Sequence, residues 1–234
     1  MDRLHPSSPE RRSFLTRVNA GVTSLAAMAI GGVAMAQQKS TATARWEPAR
    51  HDKDDWFDKL PGKHRLVFDT IAADGLGEAL TFANNFIRVN RSDYGLEAND
   101  LAVVIVVRHH ATPFGYNDAM WAKYGMTLAA RARFEDPKSK LAPKTNIYNS
   151  GAYGELLPNR GTTLDSLSKQ GVQLAVCSLA TRAYSGSIAE AVGLSPDAIY
   201  GELVANLVSN ARMVPAGIVA VNRAQERGYS LVSG

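Results

Sequence analysis

Residues 101–107 read LAVVIVV, seven apolar side chains of which five are β-branched. A strand with one wet face alternates apolar with polar residues. An unbroken run of this kind instead marks a strand covered on both faces, the situation of parallel sheets. On either side of it, Arg65–Ile71 (RLVFDTI) and Gln173–Cys177 (QLAVC) also read as strands, Met213–Val214 as a short one and Tyr229–Val232 as the last. Helical spacing fills the intervals. After a turn at Asp74–Gly77, Leu76, Ala79, Leu80, Ala83 and Ile87 share a face; Asn117–Tyr124 is a helix and Thr163–Lys169 another, closed by Gly171. A polar, small-residue segment follows Cys177, then a helix near Ser187–Val192. Ser195-Pro196-Asp197 opens a helix with Ile199, Leu203, Val204, Leu207 and Val208 on one side, and Pro215–Arg227 forms one closed by Gly228. Strand and helix alternating over short connections predict an α/β, flavodoxin-like domain: a mostly parallel sheet with helices on both faces. The stretch 125–160 shows no clear period and is expected to be an insertion.

The 234 residues carry 26 basic and 22 acidic side chains. Residues 1–36 hold four of the basic ones (Arg3, Arg11, Arg12, Arg17) and two acidic (Asp2, Glu10), which leaves the rest near +2. So small a charge gives no electrostatic footprint for nucleic acid. A single cysteine, Cys177, rules out an intrachain disulfide. The first 36 residues combine a basic start, a mildly apolar stretch from Val18 to Met35 and Ala34-Met35-Ala36 before Gln37, the architecture of a cleaved signal peptide. Arg11-Arg12-Ser13-Phe14-Leu15 fits twin-arginine export, although Glu10 and Thr16 depart from the common pattern. An uncleaved anchor is the alternative, weakened by Asn19, Thr23 and Ser24. The expectation is a periplasmic protein with no stable membrane span after cleavage. Residues 37–62 are polar and unpatterned, a flexible linker with Trp56, Phe57 and Leu60 able to dock.

Candidate chemistry gathers at the carboxyl ends of the strands, where ligands bind in open α/β sheets. Asp74-Gly75-Leu76-Gly77 lacks the third glycine of a dinucleotide fingerprint and any Walker lysine. His109-His110 ends a strand; adjacent strand residues face opposite ways, so one metal can take both only if the strand has ended. They are a polar rim, or a base or donor beside Cys177, and no spacing suggests a metal site. Arg108 and Arg182 lie at or past strand ends, where an arginine binds an anion, stabilises a thiolate or merely forms a surface salt bridge. Cys177 closes its strand before Ser178-Leu179-Ala180-Thr181. A lone cysteine is commonly buried packing, but one at a helix start gains from the helix dipole as a thiolate.

The run Gly171-Val-Gln-Leu-Ala-Val-Cys177-x-x-Ala180, with Gly186-Ser187-Ile188 behind it, resembles the signature of the DsrE/DsrF-like family. The tail from Val214 to Tyr229 resembles that family's closing helix and strand, and His64-Arg-Leu-Val-Phe-Asp its first strand; coverage is residues 63–232 around the insertion. The resemblance implies a flavodoxin-like fold, assembly into oligomers (here a homo-oligomer), and a cysteine, Cys177 by position, that carries sulfur as a persulfide. The expected partner is then a small sulfur species or a thiol protein, with no cofactor; Arg182, Arg108, His109 and His110 join as secondary site residues from their place at the strand ends. Two other readings stay open: a periplasmic binding or assembly protein with an inert Cys177, and a pocket loaded with a cofactor before export.

Overall fold

The computed structural model describes residues 47–234. The expected signal peptide and residues 37–46 of the expected linker lie outside the described residues.

Five strands, β1 (His64–Thr70), β2 (Leu101–Val107), β3 (Gln173–Cys177), β4 (Ala211–Val214) and β5 (Ser230–Ser233), form one sheet in the order β4-β3-β2-β1-β5, every pair parallel. The helices are α1 (Trp56–Lys59), α2 (Ala73–Tyr94), α3 (Asp118–Ala132), α4 (Leu164–Ser168), α5 (Ser178–Val192), α6 (Pro196–Ala205) and α7 (Gly217–Gln225). From β1 to β4 the chain steps one way across the sheet, and right-handed crossovers put every connecting helix on one face. The step from β4 to β5 runs back across the whole sheet, so α7 falls on the other face. Two cores follow from strand alternation. Phe68, Val103, Ile105, Val107, Leu174 and Val176 pack with α2 to α6, and Val67, Val104, Val106, Ala175 and Val214 with α1 and α7. Every residue of β2 is buried, as its unbroken apolar run requires. This is the expected α/β, flavodoxin-like sandwich. Among the described residues no helix is long and apolar enough to cross a membrane.

Four local differences have physical causes. Asp74-Gly75-Leu76-Gly77 is the first turn of α2 and not a separate turn. Its glycines admit close neighbours: a side chain at Gly75 would overlap the backbone of Gly234, and one at Gly77 would press on Tyr148 and Pro158. Second, α3 runs on to Ala132, into the expected insertion. Met120, Trp121, Tyr124, Leu128, Ala129 and Ala132 continue one buried stripe that Gly125 interrupts, because the carbonyl of Pro143 packs against that glycine. The rest of the insertion lies against the same layer through Ile147 and Tyr148, whose hydroxyl donates to the Ala73 carbonyl (2.6 Å). Third, α5 starts at Ser178 with no polar segment before it. Its mid-helix hydroxyls are satisfied within the helix, Thr181 on the Cys177 carbonyl and Ser185 on the Thr181 carbonyl. Fourth, the end of the expected linker belongs to the packed domain. Trp56 and Phe57 are buried, and the Phe57 carbonyl accepts from Tyr229 Oη and Arg65 Nη1, both at 3.0 Å.

Candidate functional site

The carboxyl edge of the sheet brings together three polar side chains from three adjacent strands. Val107 pairs with Val176, so Arg108, the next residue after β2, stands level with Cys177 at the end of β3. Asp69 on β1, opposite Val106, lies two residues short of that level. Alternation aims all three toward the α7 face. Arg108 donates through Nε and Nη2 to both Asp69 oxygens, at 2.7 and 2.8 Å. That bidentate pair raises the guanidinium's basicity above its ordinary value against the opposing effect of burial, with a further push from the neighbouring Cys177. The first residue of α7 is Gly217, where a Cβ would sit 2.6 Å from Arg108 Cβ; the glycine lets the arginine stem lie flat under the helix.

Cys177 is the N-cap of α5, its Sγ accepting the Ala180 N–H at 3.5 Å. Its carbonyl accepts from Thr181 Oγ1 (2.9 Å), which in turn accepts from the hydroxyl of fully buried Tyr116 (2.9 Å). The residue is 6% exposed. Topology makes the place distinctive. β3 leads into α5 on one face, whereas its neighbour β4, joined to it by the Cys177–Val214 pairing, leads into α7 on the other. Strand ends whose connections diverge in this way are the position where open α/β sheets bind ligands.

His109 and His110 occupy a different wall. The strand ends at Val107, and 3-10 turns over His109–Gly115 turn both rings the same way, 3.9 Å apart between centroids. His110 Nδ1 donates to the Arg131 carbonyl at 2.8 Å. His109 holds its proton less readily than an ordinary histidine, first through partial burial, then through the charges of His110, Arg108, Arg133 and Arg131. Both histidines line a cleft of about 380 Å³ with Arg131 and Arg133 from the end of α3 and Ala180 and Tyr184 from α5. Ala180 therefore touches the cleft while its N–H points to the thiol. Arg182 is elsewhere: it reaches Asp197 at 3.6 Å and covers the Tyr200 ring at 4.2 Å, both on α6.

Of the residues singled out in the sequence, the fold thus brings Arg108 to Cys177, places His109 and His110 on the adjoining cleft and turns Arg182 toward α6. Asp69 was missed, although an acid near the end of β1 facing an arginine near the end of β2 is a readable parallel-strand pair. Arg131 and Arg133 were missed because the continuation of α3 was not recognised. Among the described residues no three His, Cys, Asp or Glu side chains converge as a metal site requires. No family model and no curated protein matches the chain. Among solved structures it is similar to a protein of unknown function from Methanobacterium thermoautotrophicum, at 16% identity over 74% of this chain and all of the other, with a TM-score of 0.37.

Proposed function

We propose that the protein is an exported, DsrE-like carrier of sulfane sulfur that works through Cys177 in the periplasm as a homo-oligomer. The observation that carries this reading is the setting of the thiol: it caps α5, stands level with Arg108 and closes a strand whose neighbour leads to the opposite face. The step is a single exchange. The Cys177 thiolate attacks the outer sulfur of a donor persulfide; the new Sγ–S bond forms, the donor S–S bond breaks, and the donor leaves as thiolate with the electron pair. Release to an acceptor thiol is the same exchange in reverse, so one cysteine per chain suffices. Arg108, held flat by Asp69, offers fixed positive charge beside the reacting sulfur without having to move. The twin-arginine signal and the family resemblance agree with this reading.

The rival is a binding or assembly protein with an inert thiol, and the low exposure of Cys177 favours it. Intact mass after incubation with glutathione persulfide separates the two. A gain of one sulfur on the wild type, reversed by excess thiol and absent in Cys177→Ser, is the expected result. An unchanged mass under conditions that persulfidate a control thiol protein overturns the proposal.

A further inference from the structure

The cleft beside the thiol has a chemistry of its own. His109, His110, Arg131 and Arg133 converge on it, and no carboxylate lines it. Among the described residues neither Arg131 nor Arg133 has an acidic partner within salt-bridge distance, a state they share with Arg65, Arg88, Arg91 and Arg212 but here combined with two histidines on one cleft. Arg131 is nonetheless fixed: its Nη1 donates to Ser187 Oγ at 2.9 Å and its guanidinium lies over the Tyr184 ring at 5.2 Å. The rest of its donor fork has no protein acceptor among the described residues.

Backbone conformation points the same way. His109 and Arg133 both adopt the left-handed region, each at φ 55°. Arg133 follows the last residue of α3, a position that glycine fills most cheaply. A side chain there is less favourable than glycine. Lys140 and Arg160 are left-handed as well and lie off the cleft, so conformation alone selects nothing; what sets His109 and Arg133 apart is that both line one cleft. The α3 dipole accounts for basic residues in a last turn, but not for their meeting two histidines carried by another segment.

We infer that this cleft is a binding site for a divalent tetrahedral oxyanion, sulfate-, thiosulfate- or phosphate-like, held by Arg131 and Arg133 with His109 and His110 as further donors. It is separate from Cys177 and stands whether or not that thiol carries sulfur. Its size leaves room for a substituent on the oxyanion, so a free ion and an ester of it are both admissible sources.

Calorimetric titration of the full chain with sulfate, thiosulfate and inorganic phosphate tests this, against chloride at matched ionic strength. Binding by the divalent ions and none by chloride is expected. Arg131→Gln and Arg133→Gly should each weaken it by about ten-fold. Arg133→Gly relieves the left-handed backbone, so its melting temperature without ligand should hold or rise, which separates lost binding from lost folding. Cys177→Ser should bind as the wild type does. Glycerol 3-phosphate tighter than inorganic phosphate identifies an esterified ligand; equal or weaker binding identifies the free ion. Heat from chloride equal to that from sulfate, affinity unchanged in both arginine variants, or affinity lost in Cys177→Ser would overturn the assignment.

Discussion

Arg108 is where the structure and the proposed chemistry meet. Its bidentate contact with Asp69 ties the ends of β1 and β2, and the same charge lies beside Cys177. Arg108→Gln should slow reaction of Cys177 with iodoacetamide several-fold while leaving the circular dichroism spectrum intact, because the guanidinium supplies charge to the reacting sulfur. Asp69→Asn should have a weaker effect in the same assay, since the guanidinium remains but is less firmly oriented. His109 gives a pH signature. The groups facing it are His110 and Arg108 on its own segment, Arg131 and Arg133 from α3, and Tyr184 from α5. Because its folded-state pKa is depressed, the unfolded chain binds the proton more readily. Stability is therefore lost as pH falls from the ordinary histidine value of about 6.5 toward the lower folded value, and levels off below it. Melting curves over that range should show a fall that His109→Gln reduces.

At the scale of elements, strands announce themselves where burial is complete and helices hide where their inner face is small. The β2 run admits one reading, and β1, β3 and the closing helix and strand follow from similar patterns. The continuation of α3 past Gly125 was illegible for a physical reason: its stripe is carried by alanines and one leucine, and the glycine answers to a loop carbonyl distant in sequence. A periodicity scan cannot see that contact. For the same reason the arginine pair at the end of α3 was not anticipated, whereas the Cys177 strand end and Arg108 were. Gly125→Ala tests the contact directly. The added methyl has only the Pro143 carbonyl to displace, so the substitution should destabilise by about 1–3 kcal/mol, where an exposed helical glycine would gain from alanine. Urea melts of the two proteins measure it.

For the whole molecule, the uneven two-sided coverage of the sheet is the main constraint. One face carries five helices and the other only α7 and the short α1, so Trp56 and Phe57 close a face that would otherwise be open. Phe57→Ala should cost about 3–5 kcal/mol, a loss readable by denaturant melts, although the residue sits in a stretch that reads as linker. Cys177 ends β3 where the chain leaves for α5 on one face, beside β4, which leaves for α7 on the other. Whether a reagent reaches Cys177 in the folded state decides whether the thiol is chemistry or packing. The direct measurement is the rate of Cys177 alkylation by iodoacetamide in native buffer, set beside the rate of global unfolding. The account predicts modification far faster than unfolding, slowed in Arg108→Gln. Modification no faster than unfolding, with the native thiol silent until the fold opens, would contradict it.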